Sequence, residues 1–128
     1  MEEEPTFAAP KEKVVFLENK ATGHCIYSNE QGEVSAVTYD GSDHQKWKEW
    51  NGFYMNLATK KCLATDNKGN VFAAKPNGKN NQKWRFNGTK LVNEETNKIL
   101  DVNWQGEVYA HDSGYGDSQT SWVTYWAT

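Results

Sequence analysis

Apolar residues fall in short runs of four or five positions, separated by clusters of Asn, Asp, Gly and Ser. Runs of that length, bounded by turn formers, predict β-strands, and no stretch sustains the 3.6-residue spacing of a helix. The predicted strands are residues 14–18, 24–28, 34–38 and 46–50; 53–57, 61–65, 71–75 and 83–86; and 90–93, 98–102, 108–111 and 121–125. They come in sets of four because the pattern itself recurs. Gln45-Lys46-Trp47 and Gln82-Lys83-Trp84 lie 37 residues apart, and a degraded copy, Thr120-Ser121-Trp122, follows after 38. Cys25, Cys62 and Ile99 keep the same step, as do Gly32, Gly69 and Gly106, and Val34, Val71 and Val108. Several residue classes in one register mark three copies of one unit, at about 16–52, 53–88 and 90–128, with one extra residue in the third between Val108 and Trp122.

No unit of four short strands buries a core alone. Closing three of them around a common axis shares one core and removes the exposed sheet edges. The expectation is an all-β, threefold-symmetric single domain over residues 14–128. The recurring Trp47, Trp84 and Trp122, and the layer Ile26, Leu63 and Leu100, are its core. The recurring glycines are turn residues with positive φ. Residues 1–13, rich in Glu and Pro without an apolar segment, read as a flexible lead-in rather than a signal or transit peptide. That reading places the protein in the cytoplasm, or has it released without a signal peptide. No run of about 20 apolar residues exists to span a membrane.

Cys25 and Cys62 occupy equivalent positions of different units, so symmetry holds them apart and both are expected buried, reduced and unpaired. Asn87-Gly88-Thr89 matches a glycosylation sequon but reads as a turn. The formal net charge is −3. Residues 53–88 carry seven Lys or Arg against Asp66 alone, net +6, whereas residues 89–128 carry two Lys against six acids, net −4. The middle unit is either ordinary solvated surface or a place for an anionic ligand. Nothing predicts catalysis, a cofactor or a metal. No carboxylate pair stands out, His24 and Cys25 point to opposite faces of one strand, and no Cys-x-x-Cys or His-Glu-x-x-His spacing occurs.

The repeated Gln-x-Trp, the preceding Cys-Leu or Ile-Leu strand, and the 37-residue interval resemble the ricin-B-type β-trefoil lectins over residues 13–128. Many members carry disulfides within repeats. This chain lacks the cysteines for them and is similar in that respect to disulfide-free cytosolic fungal and invertebrate members. The resemblance implies a β-trefoil of three four-stranded repeats, non-catalytic glycan binding, and a site in which three positions recur. An Asp follows the Cys-Leu strand, an aromatic lies three residues after the valine of the repeat's third strand, and polar groups sit at the Gln-x-Trp segment.

Carried onto this chain, the Asp position holds Tyr27, Ala64 and Asp101, the stacking position holds Val37, Ala74 and His111, and the residue before the Gln position is His44, Asn81 and Gln119. Only the third unit offers a carboxylate, a planar ring and an amide together. It alone adds Trp104, where the others have Glu30 and Asn67, and its longer final connection brings Tyr115 between two glycines. The candidate carbohydrate-binding residues are therefore Asp101, Trp104, His111, Tyr115 and Gln119. His111 stands where the family has Tyr, Trp or Phe, and Thr120 where it has Gln. The plainer alternative leaves Asp101 as a turn cap and Trp104 as a surface aromatic. The first and second units could bind by another mode, through Tyr39 and Asp40 or through Lys75 and Asn77. The expected partners are glycans or glycoconjugates, with clustered ligands or a homodimer supplying avidity. Two rival functions remain: a polyanion binder acting through the basic middle unit, and a protease-inhibiting trefoil. Sparse interleaving of basic and aromatic residues speaks against nucleic acid.

Overall fold

The computed structural model describes residues 13–112 and 119–127, and twelve β-strands lie among them. They are β1 (Lys13–Asn19), β2 (Cys25–Ser28), β3 (Val34–Val37) and β4 (Trp47–Trp50); β5 (Phe53–Asn56), β6 (Cys62–Thr65), β7 (Val71–Ala74) and β8 (Trp84–Asn87); and β9 (Lys90–Asn93), β10 (Ile99–Val102), β11 (Val108–His111) and β12 (Trp122–Trp126). Each falls on a predicted strand, with no end shifted by more than one residue. Two short 3-10 turns, Asp43–Gln45 and Asn80–Gln82, precede β4 and β8. No helix among the described residues is long and apolar enough to cross a membrane.

All the ladders are antiparallel. β1 pairs with β4 and with β12, β4 with β5, and β8 with β9, while a bridge from Phe53 to Lys83 links β5 to the start of β8. These six strands form the barrel wall, and the N- and C-terminal strands close it: Trp122 lies opposite Asn19 and Trp126 opposite Val15. The other six form three hairpins, β2–β3, β6–β7 and β10–β11. Each touches the next through a bridge, Glu33 to Phe72, Asn70 to Tyr109 and Ser35 to Glu107, and so the set closes around the axis. This is the threefold closure expected from the repeat, and it is the β-trefoil that the resemblance implies.

The period-37 positions are the core. Trp47, Trp84 and Trp122 are buried, and each indole N–H donates to a carbonyl of the layer below: Ile26 (3.1 Å), Leu63 (2.9 Å) and Leu100 (3.0 Å). A buried indole needs such a partner. The three recurring glycines have φ of +82°, +86° and +86°, as turn residues should. Their conformation is half the reason for glycine. A Cβ on Gly32, Gly69 or Gly106 would collide with the carbonyl oxygen of Ala73, Ala110 or Ala36 in a neighbouring repeat. The same contacts carry hydrogen bonds, from Ala73 N–H to Gly32 O, Ala110 N–H to Gly69 O and Ala36 N–H to Gly106 O, at 2.8 to 2.9 Å.

A second threefold set escaped the sequence reading. Asn19, Asn56 and Asn93 are fully buried at the end of the first strand of each repeat. Each Oδ1 accepts two backbone N–H groups of the following turn, and each Nδ2 donates across the repeat boundary, to Gln119 O, His44 O and Asn81 O respectively. A threonine three residues on caps the same turn, with Thr22, Thr59 and Thr96 Oγ1 accepting from His24, Lys61 and Lys98 N–H. The motif Asn-x-x-Thr at a 37-residue step was visible in the chain.

Cys25 and Cys62 are buried and unpaired. Burial, with the nearby Glu18 charge adding to it, pushes the Cys25 thiol up to about 12, and burial raises Cys62 as well.

Candidate lectin site

In the third repeat, β10 and β11 pair Ile99 with His111, Leu100 with Ala110, Asp101 with Tyr109, and Val102 with Val108. Paired residues share a face, and faces alternate along the strand. Leu100, Ala110 and Val102 therefore turn into the core, where all three are buried. Asp101, Tyr109 and His111 share the opposite face. Asp101 and His111 are diagonal neighbours, within reach of a long side chain, and His111 Nε2 lies 2.7 Å from Asp101 Oδ2. Tyr109 and His111 present their rings 6.1 Å apart at 39°.

The carboxylate is fully buried, yet satisfied. Asp101 Oδ1 accepts the Val102 N–H at 2.7 Å while Oδ2 faces His111. The other ring nitrogen, His111 Nδ1, lies 2.9 Å from Asp112 O. The Asp112 carbonyl can only accept, so Nδ1 carries a proton, and the Nε2–Oδ2 contact is a hydrogen bond whichever of the two atoms holds the proton between them. The arrangement fixes the His111 ring against a buried acid, with the His111 side chain about one-fifth exposed at 19%. Asp112 is tied in turn to Lys98, at 3.1 Å.

The other sequence-predicted residues are spread out. Trp104 is 60% exposed in the turn after β10. Three rungs of the ladder, about 10 Å of strand, separate it from the His111 end. The Gln119 backbone carbonyl accepts from Asn19 Nδ2, and its side chain lies mostly below the surface. Tyr115 lies outside the described residues. Tyr109 was missed. Its signal, an aromatic one residue after the recurring valine, is shared with Phe72 of the second unit, and its meaning emerges only when Asp101 is placed opposite it.

The first two repeats are built differently at these positions. Tyr27 sits at the Asp position with its ring 5.7 Å from that of His44, and His44 Nε2 pairs with Glu30 at 3.1 Å. Ala64 and Ala74 leave the second repeat without side-chain functional groups there. The motif glutamines serve the scaffold. Gln45 donates to Thr38 O and accepts from Asp40 N–H, and Gln82 does the same with Lys75 O and Asn77 N–H. Each pins the loop before its tryptophan, and Thr120 lacks the amide to do so. The residues held out for another binding mode are partly engaged: Tyr39 stacks on Phe16, while Asp40 and Asn77 cap their own turns. Hydrogen bonds from Ser42 hold the Asp40 carboxyl below its ordinary value. Among the described residues no three His, Cys, Asp or Glu converge as a metal site.

Comparison with known proteins agrees with this architecture. No curated protein sequence matches the chain. Among solved structures, the β-trefoil lectin of the Vibrio vulnificus hemolysin/cytolysin, with N-acetyl-D-lactosamine bound, superposes with a TM-score of 0.79 at 18% identity, covering 91% of this chain and 96% of that one. The designed threefold-symmetric protein ThreeFoil gives 0.72 at 24% identity, covering 87% and 96%. SeviL, bound to the asialo-GM1 saccharide, gives 0.72 at 17%, covering 92% and 100%. The family model for the ricin-type β-trefoil lectin domain matches residues 13–122, nearly the whole of the three repeats, and the chain belongs to that family.

Proposed function

We propose that the protein is a non-catalytic glycan-binding lectin whose principal site is the outward face of β10–β11 in the third repeat. The Asp101–His111 pair carries this reading, because neither other repeat has a carboxylate and a ring at these positions. Asp101 holds the His111 ring in place, and the ring's N–H and face, with Tyr109 beside it, engage a sugar's hydroxyls and its C–H face. Gln119 and Tyr115, the sequence candidates of the connection before β12, are tested alongside them by alanine substitution. Trp104 stands too far along the hairpin to share one sugar ring with His111, so it serves a second unit of a longer glycan. A site of this kind binds one sugar weakly and gains avidity from clustered ligands or dimerisation.

The saccharides bound to the two lectin neighbours, N-acetyl-D-lactosamine and the asialo-GM1 saccharide, are the first probes, within a glycan array read at low and high salt. Binding should change little with salt, since few ionic contacts are released. His111→Ala should weaken the best glycan at least tenfold, about 1.4 kcal/mol. Asp101→Asn should do so comparably, since it keeps the shape and removes the charge that fixes the ring. Trp104→Ala should weaken an oligosaccharide and leave a monosaccharide unaffected. If Asp101→Asn and His111→Ala both stay folded with full affinity, while Lys-to-Ala changes within 53–88 abolish a steeply salt-dependent binding, the middle repeat is the site and the protein binds polyanions.

A further inference from the structure

The threefold symmetry offers a second position at which the repeats diverge, away from the β10–β11 face. In the first repeat, Phe16 packs against two other rings. Tyr39 stacks on it with centroids 4.1 Å apart at 21°, and Tyr125 stacks at 5.3 Å and 30°. The equivalent of Phe16 in the second repeat is Phe53, and the equivalent of Tyr125 is Trp50, which again lies nearly parallel to it, 6.3 Å away at 22°. The equivalent of Tyr39 is Pro76. The matched bonds Asp40 N–H to Gln45 and Asn77 N–H to Gln82 fix that alignment. A proline cannot reach across as the tyrosine does, and a cavity of about 240 Å³ is left, lined by Trp50, Phe53, Met55, Cys62, Pro76 and Gly78. Gln82 also borders it, but its amide is engaged by Lys75 O and Asn77 N–H. Trp50 is 54% exposed at the mouth, a large apolar surface that the fold itself leaves uncovered.

The third repeat turns the same place to a different use. Asn87, Lys90, Val92 and Ile99 replace Trp50, Phe53, Met55 and Cys62, and the pocket there is about 160 Å³, joined by Arg85 and Asn97. Arg85 is held by Glu94 at 3.2 Å and by Asn97 at 2.9 Å. One position therefore exists in three states: filled by the chain's own tyrosine, open and apolar, and polar with fixed charge.

We propose that the second-repeat cavity is a binding site for a small molecule bearing an uncharged aromatic ring, which occupies the place Tyr39 takes in the first repeat. The size fits, since an apolar cavity of about 150 Å³ suffices for benzene. The chemistry fits too: Trp50 and Phe53 offer parallel ring faces, and the rest of the lining is apolar. Neither Trp50 nor Pro76 belongs to the third-repeat site.

The test uses p-cresol, the tyrosine side chain without its backbone, titrated into the whole protein while the Trp50 indole N–H is followed by NMR. The expected result is saturable shifts at Trp50 and Gly78, with a dissociation constant on the order of 1 mM for so small a ligand. Pro76→Tyr, which rebuilds the first-repeat arrangement, should fill the cavity and abolish the shifts at unchanged melting temperature. Trp50→Ala removes a half-exposed ring and should weaken binding at least tenfold in a folded protein. Linear, unsaturable shifts spread equally over Trp50, Trp104 and Trp126 would overturn the proposal, as would full binding by a folded Pro76→Tyr variant. Concentration-dependent self-association that Trp50→Ala abolishes would put a second copy of the chain in the cavity instead.

Discussion

A buried ionisable residue has its charge state set by its surroundings, and three residues here are kept neutral by burial. Cys25, Cys62 and Tyr54 all have their ionisation raised above the ordinary range, in each case chiefly by loss of solvent, with Glu18 adding to the effect at Cys25 and Glu49 at Tyr54. A group whose folded-state value lies above its unfolded value stabilises the fold fully below the unfolded value, and that contribution fades as pH climbs toward the folded one. The window here opens at about 9, the ordinary thiol value, and runs to about 12 for Cys25. Chemical denaturation should show stability level from neutral pH to about 9 and falling above it. In the same range the native thiols should react slowly with a thiol reagent, whereas unfolded protein should titrate two. Rapid labelling of native protein at neutral pH, or a disulfide found after unfolding without reductant, would contradict the buried, unpaired state. Asp101 is a buried acid made tolerable by hydrogen-bonding partners, and its position shows where sequence reading stopped. The Asp at that position was plain from the Ile-Leu-Asp motif. That it lies under His111, not open to solvent, follows from the diagonal pairing of residues 101 and 111 across a ladder, which the repeat pattern does not specify.

At the level of strands and turns the sequence was most legible, because the period fixes the register. All twelve strands fell where apolar runs are flanked by turn residues, and the positive-φ glycines fell where the turns demanded them. What stayed hidden was how one repeat grips the next. Asn19, Asn56 and Asn93 read locally as ordinary turn residues, and only the assembled barrel shows their Nδ2 groups crossing to another repeat. Asn56→Ala removes an acceptor for two backbone N–H groups and a donor to His44 O, all in partly buried surroundings. Leaving such groups unpaired costs about 1–3 kcal/mol each before relaxation. The expected loss is about 3 kcal/mol, or about 10 °C in melting temperature for a domain of this size. Gly69→Ala tests the other inter-repeat contact. It combines a left-handed backbone, about 1–2 kcal/mol for a residue with a Cβ, with a collision against Ala110 O. It should destabilise by at least 2 kcal/mol, whereas Gly78→Ala, also at positive φ but with open space around it, should cost only the backbone term. Equal melting temperatures for the two variants would remove the close approach as the reason for Gly69.

Every repeat lends groups to its neighbours, so the molecule should unfold as one cooperative unit. The hairpins bridge in a ring, β12 closes onto β1, and the three tryptophans stand in one core with Ile26, Leu63 and Leu100. Symmetry assigns the scaffold to shared positions and leaves function to the places where repeats differ, which is why Trp84 and Trp104 should respond so differently to the same substitution. Trp84 is 2% exposed, with its indole N–H bonded to Leu63 O. Truncating a buried tryptophan costs about 3–5 kcal/mol, and the unpaired Leu63 carbonyl adds to it. The repeats share their core, so that loss cannot stay in the second one. Trp84→Ala should lower the melting temperature by more than 10 °C in a single transition, seen at the same midpoint by circular dichroism and by the fluorescence of the remaining tryptophans. Held well below that midpoint, the variant should bind glycan with unchanged affinity, because the Asp101–His111 face lies in another repeat. Two separate transitions would show that the repeats melt independently. An unaltered melting temperature with selective loss of binding would move Trp84 from the core to the site.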